Sequence, residues 1–119
     1  MRTVILLLVA LAGTAAAAPA ARAKLSAADQ KKLATALRTG RELQHKKKYT
    51  QALAAFEQGL AVVPDDATLL SELGWTAYLA KDLDKAEAAT KKALVAQAAP
   101  NIRAATLYNF GLIAEAKGN

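Results

Sequence analysis

His45 is the single histidine of this chain, and Glu42, three residues back, is the one carboxylate at helical spacing on its face. A histidine base needs an orienting carboxylate, a nucleophile and donors for the developing negative charge. The sequence supplies only a candidate for the first. It has no cysteine, which removes disulfides, thiolate metal sites and cysteine nucleophiles together. It has no glycine-rich phosphate loop either. Asp65-Asp66 stand side by side just ahead of a helical pattern, where helix capping is the expected role rather than metal ligation. Lys46-Lys47-Lys48 could contact phosphates or anionic lipid. No aromatic residue is interleaved with them, and three cations at a helix end are expected to form a solvated turn facing the negative end of the helix dipole. The chain is therefore expected to hold no catalytic centre, metal or cofactor, and to bind neither nucleic acid nor a small-molecule substrate.

The remaining chemistry is aromatic. Trp75 and Tyr78 are three residues apart, and Tyr108 lies in a later element. Rings of this kind are enriched at binding hot spots. Rings at helical spacing also serve to cover packed helices. The sequence leaves both readings open for an expected cluster of these three.

The elements that must position them read as helices throughout. Ser26 opens a helix with Asp29 three residues on, a capping-box-like pair, and Leu33, Leu37, Gly40 and Leu43 recur on one face as far as about His45. Tyr49-Thr50 opens the second, with Ala52, Leu53, Phe56 and Leu60 buried, and Pro64 stops it. Asp66 caps a third, with Leu70, Leu73, Gly74 and Ala77 on its face. Lys81-Asp82 turns into a fourth, with Leu83, Ala86, Thr90, Ala93 and Leu94, expected to run to about Ala98 before Pro100 ends it. Asn101 is expected to cap a fifth from Ala104 to Lys117, carrying Leu107, Phe110, Gly111 and Ala114 on one face. Small residues at 74, 77, 86 and 93 let the third and fourth helices approach closely and antiparallel.

The first residues are a separate matter. Met1-Arg2-Thr3, nine apolar residues from Val4 to Ala12 and a run of small residues have the three-part form of a secretory signal. The apolar run falls well short of the ~20 residues that span a bilayer. Cleavage after Ala17 is expected, with Ala23 the weaker site. It removes Arg2 and lowers the formal charge from +6 to +5. Residues 1–17 are thus read as signal peptide, 18–25 as a basic linker and 26–119 as one domain. Export to a bacterial periplasm or cell envelope is expected, with secretion the other destination. Without a cysteine after the apolar run, a lipoprotein is not expected.

Gly40 and Gly74, Ala52 and Ala86, and Leu60 and Leu94 are each 34 residues apart. This spacing, with Gly40, Ala52, Phe56 and Pro64 in the first unit and Leu70, Leu73, Gly74, Ala77 and Ala86 in the second, resembles the tetratricopeptide repeat, a helix–turn–helix family of that period. The run Leu107-Tyr108-Asn109-Phe110-Gly111 is similar to the start of a third unit. Thr90 replaces the family's aromatic, and Gly111 follows Gly74 by 37 residues, so three extra residues are expected in the turn near Pro100. The resemblance implies an all-α solenoid of helical hairpins with about two and a half repeats (33–66, 67–100 and a partial 104–119) in a right-handed superhelix. It implies a non-enzymatic scaffold that holds a protein or peptide on the concave face lined by the first helix of each pair. On the faces opposite the packing side, that surface takes Leu37, Arg41, Gln44 and His45, then Ser71, Trp75 and Tyr78, then Tyr108, Leu112 and Glu115. The residues expected to bind are Arg41, Gln44, Ser71, Trp75, Tyr78, Tyr108 and Leu112. The family's carboxylate-clamp groove uses a lysine and asparagines, and Leu37 and Arg41 hold the matching first-unit places, so that role is not expected. The third unit is incomplete. Its helix is apolar nearly all round, which points to three alternatives: the end of a solenoid, the leading part of a longer repeat protein, or a homo-oligomer formed through the last helix.

Overall fold

The structure, a computed structural model, describes residues 24–96 and 98–118. The expected signal peptide and linker residues 18–23 lie outside the described residues. Among the described residues five helices follow one another: α1 (Ala27–His45), α2 (Tyr49–Val62), α3 (Ala67–Leu79), α4 (Leu83–Val95) and α5 (Pro100–Ala116). Among the described residues there is no strand, and no helix is long and apolar enough to cross a membrane. The regular structure of the described residues is all helical, which the alanine- and leucine-rich composition favours.

Each start has a local cause. Ser26 Oγ accepts from the Asp29 amide at 3.1 Å. Asp29 does not close the reciprocal half of the box and lies instead 3.7 Å from Lys32 Nζ. Asp66 Oδ1 accepts from the Leu69 amide at 2.9 Å, and Asp82 Oδ1 accepts from the Lys85 amide at 3.2 Å. Both aspartates satisfy amides that a helix start leaves without carbonyl partners.

The two tight turns are built alike. Lys47 and Lys81 take positive φ, 59° and 64°. The amide after each reaches back five residues, Lys48 to the Leu43 carbonyl and Asp82 to the Ala77 carbonyl, both at 2.9 Å. This is the Schellman arrangement, which closes a helix and reverses the chain. Gly118 has φ +78° at the end of α5.

Packing follows the order of the chain. α1 pairs with α2 and α3 with α4; α2 then meets α3, and α4 meets α5. α3 also touches α1 and α5, so α1, α3 and α5 form one layer and α2 and α4 the other. The core runs between them through Leu33, Ala52, Phe56, Leu69, Leu73, Ala77, Ala86 and Ala89. Two glycines set the closest approaches. A Cβ on Gly40 would fall 2.3 Å from Phe56 Cε1, and one on Gly74 would fall 2.4 Å from Thr90 Oγ1. Phe56 and Thr90 are 34 residues apart and fill the same place in the two pairs.

The fifth helix departs from expectation. α4 ends at Val95 and α5 begins at Pro100, where Ala104 was expected. Proline occupies the first helical position, where its missing N–H would have no partner in any case. Asn101 lies inside the helix, and the capping residue is Ala99, which gives no side-chain bond. The α2–α3 and α4–α5 connections both span four residues. The extra residues thus form an added turn at the start of α5 rather than a longer loop. The buried side of α5 is also not the expected one. Thr106 and Ile113 are buried, whereas Leu107 is 50% exposed and Gly111 is open.

Candidate functional site

The expected binding residues lie on α1, α3 and α5, the layer in which consecutive helices touch only lightly. Polar side chains bridge them. Arg41 Nε on α1 donates to Glu72 Oε1 on α3 at 2.7 Å. Gln44 Nε2 donates to Thr76 Oγ1 at 2.7 Å and reaches Glu72 Oε2 at 3.5 Å. Ser71 Oγ and Thr106 Oγ1 share a hydrogen bond of 2.9 Å between α3 and α5. Thr76 and Thr106 also donate back to the carbonyls of Glu72 and Ile102, at 2.8 and 2.7 Å. Arg41, Gln44 and Ser71 therefore hold one helix to the next. Their partners Glu72, Thr76 and Thr106 were not among the residues singled out from the sequence. Arg41 and Glu72 side chains are 46% and 21% exposed, so the pair is partly screened and fixes orientation more than it adds stability.

Trp75 and Tyr78 come together as expected from their spacing. Their rings stack at 5.2 Å between centroids with planes 23° apart. Both are half-buried, and Tyr78 backs onto the core. Tyr108 does not complete a three-ring cluster. Among the described residues the ring pair is Trp75 with Tyr78, and Tyr108 stands on α5 at 68% exposure. The added turn of α5 and its rotation onto Thr106 and Ile113 turn Tyr108 outward. Leu112 is half-buried beside Ile113. A groove of about 210 Å³ runs between α3 and α5, with Trp75, Ser71 and Glu72 on one wall and Ile102, Ala105 and Asn109 on the other.

A larger concavity of about 530 Å³ lies between α1 and α2, lined by Ala28, Lys32, Thr35, Thr39, Ala55 and Gln58. The small residues Ala28, Thr35 and Thr39 at helical steps on α1 were the available signal for it.

Among the described residues no three of His, Cys, Asp and Glu come together as metal ligands could. His45 is exposed at the end of α1. Glu42 faces Arg38, at 3.5 Å, and is engaged there. Lys46, Lys47 and Lys48 are exposed on the α1–α2 turn.

A cluster of charges joins α5 to α4. Lys117 Nζ lies 2.9 Å from Asp84 Oδ1 and 3.5 Å from Glu87 Oε2. The hydrogen bond from Lys117 holds the Asp84 carboxyl below its ordinary range, and the bond from Lys91 does so at Glu87. Bonding to Asp84 raises Lys117 in turn. At the other end, Arg103 Nη1 donates to the Leu94 carbonyl at 2.9 Å, covering a carbonyl that the end of α4 leaves open. Comparison of the chain with protein-family models, with curated proteins and with solved structures returns no match.

Proposed function

We propose that this chain is an exported adaptor of the tetratricopeptide type, non-enzymatic, that holds a segment of a partner protein along the face of α1, α3 and α5. The observation that carries the reading is the Trp75–Tyr78 stack. Trp75 lines the wall of the α3–α5 groove beside Glu72, and Tyr78 stacks on it, so the two rings form a half-buried apolar surface. Rigid aromatic surface beside a polar rim is the composition of an interface hot spot. The bridges from Arg41, Gln44 and Ser71 support it by fixing the spacing of the three helices. The 34-residue spacing and the two matching Gly40–Phe56 and Gly74–Thr90 contacts support the repeat assignment.

Two measurements test it. The intact mass of the protein from its native cells should correspond to removal of residues 1–17; retention of those residues by the mature protein would refute export with cleavage. A photo-crosslinking residue at Asn109, across the groove from Trp75, should capture one defined partner. Trp75→Ala with Tyr78→Ala should weaken that capture by about 30-fold, the effect of losing a hot spot worth ~2 kcal/mol, with helicity unchanged. Equal capture by the double variant refutes the proposed surface.

A further inference from the structure

The open side of α5 carries a contact that the rest of the molecule has already closed twice. Leu33, Ala36 and Gly40 on α1 are buried, with Phe56 of α2 over Gly40, and Ala67, Leu70 and Gly74 on α3 are buried, with Thr90 of α4 over Gly74. The matching positions on α5, 37 residues beyond those of α3, are Ala104, Leu107 and Gly111, and all three are exposed. The contrast is large: Leu70 is 4% exposed and Leu107 is 50% exposed. A Cβ on Gly40 or Gly74 would strike a side chain of the covering helix, whereas one on Gly111 meets nothing within 4 Å. Gly111 is thus an empty notch in a face shaped to receive an antiparallel helix.

We propose that a second copy of this chain covers it, in a symmetric dimer whose α5 helices run antiparallel with Leu107 of each copy seated on Gly111 of the other. A two-fold contact requires one patch to carry both halves of the fit. This patch does: a notch without an occupant and a large apolar side chain without a cover sit one turn apart. An axis at the level of residue 109 brings Leu107 level with Gly111 of the other copy. The same axis brings Arg103, whose Nη1 donates to the Leu94 carbonyl and whose other N–H groups make no ion pair among the described residues, level with Glu115 of the other copy, and Glu115 makes no ion pair there either. Tyr108, beside Leu107, is covered in the same contact. A helix pair of this length buries about 800–1,000 Å² in total, below the ~1,200–2,000 Å² of stable interfaces, so the dimer is weak, with a dissociation constant of about a micromolar or higher. This proposal does not depend on the partner-binding face of α1, α3 and α5.

Sedimentation equilibrium of the purified chain from micromolar to millimolar concentration is the test. A reversible monomer–dimer equilibrium is expected. Gly111→Leu should weaken it by about tenfold or more, since the notch is filled, and should leave the monomer's helicity intact because nothing opposes the new side chain. The chain has no cysteine, so a second measurement is available whatever that variant does. Leu107→Cys and Gly111→Cys copies, mixed and oxidised, should cross-link faster than either alone. A monomer at every concentration, a dimer indifferent to Gly111→Leu, or cross-linking without preference for the mixture overturns the proposal. A monomer would leave the notch to another helix.

Discussion

Alanine at three glycines that share one place in their helices should give opposite outcomes. Gly→Ala within a helix gains about 1 kcal/mol, because glycine loses more backbone freedom on folding. At Gly111 nothing lies within 4 Å of the new methyl, so the gain stands alone. At Gly40 the methyl falls 2.3 Å from Phe56 Cε1 and 2.6 Å from Cδ1 and Cζ. Carbon atoms rest at ~3.5–4.0 Å, so the ring must retreat by more than about 1 Å. Phe56 is fully buried. Overpacking of this kind costs roughly 1–3 kcal/mol, and the upper end applies where a ring is trapped. After the helix gain, Gly40→Ala should destabilise by about 2 kcal/mol. Gly74→Ala should do the same, since its methyl meets Thr90 Oγ1 at 2.4 Å and the Ala86 carbonyl and Thr90 amide at 3.3 Å, and the backbone cannot step aside cheaply.

Thermal and urea unfolding followed by far-UV circular dichroism, in dilute solution, measures all three. The gap of about 3 kcal/mol between Gly111→Ala and Gly40→Ala should separate their midpoints by more than ~10 °C in a chain of this size. Gly40→Ala combined with Phe56→Leu should recover part of the loss, since the smaller side chain frees the space. If Gly111→Ala destabilises as Gly40→Ala does, the notch is covered in the monomer and the argument from its openness fails. If Gly40→Ala stabilises, the α1–α2 contact is looser than the structure shows.

Three further outcomes follow from single features. Lys47→Gly and Lys81→Gly should each stabilise by about 1 kcal/mol, and additively, because both lysines hold a left-handed conformation that glycine adopts freely; an unchanged urea midpoint would contradict the turn geometry. Thr90→Val should stabilise by ~1 kcal/mol, since the Thr90 hydroxyl is buried without a hydrogen-bond partner; a loss of similar size would show that the hydroxyl is bonded. The Lys117 anchor should respond to pH at both extremes. Asp84 and Glu87 are lowered in the fold, so their contribution is present above the ordinary carboxylate range and lost as pH falls through their lowered values. Lys117 is raised, so its contribution is present below the ordinary lysine range and lost as pH rises through its raised value. Amide exchange at 113–117 should accelerate towards acid pH relative to α2, and Lys117→Met should remove the difference.

What the sequence made legible is local. Ser26, Pro64 with Asp66, and Lys81-Asp82 each carry a stop or start that one helix end can read alone, and the start of α1, the α2–α3 junction and the α3–α4 turn fall close to them. Trp75 and Tyr78 are legible for the same reason, since three residues on one helix fix their contact. Pro100 was not, because a proline shortly after one helix and a proline at the first position of the next look alike in sequence. The bridges were not legible either. Their partners lie 31, 32 and 35 residues apart, for Arg41–Glu72, Gln44–Thr76 and Ser71–Thr106, and no single period brings them together. Tyr108 was placed in a cluster by assuming that α5 docks as α3 does. The added turn removed that premise.

That added turn also explains how α5 is held. α1 and α3 are each clamped through their glycine face by a following helix, but α5 is fixed from its opposite side. Thr106 and Ile113 are its buried side chains, and Arg103 and Lys117 tie its two ends to α4. Both ties are exposed and mostly polar, so they add little stability beside a buried apolar face. α5 is therefore the element with the least to hold it, and it bears the face with the most still to bury. Covering Leu107 and Gly111 would supply α5 with the contact that already holds α1 and α3. A chain that binds a partner through Trp75, at the wall of the groove that α5 completes, then depends on whatever covers that outer face.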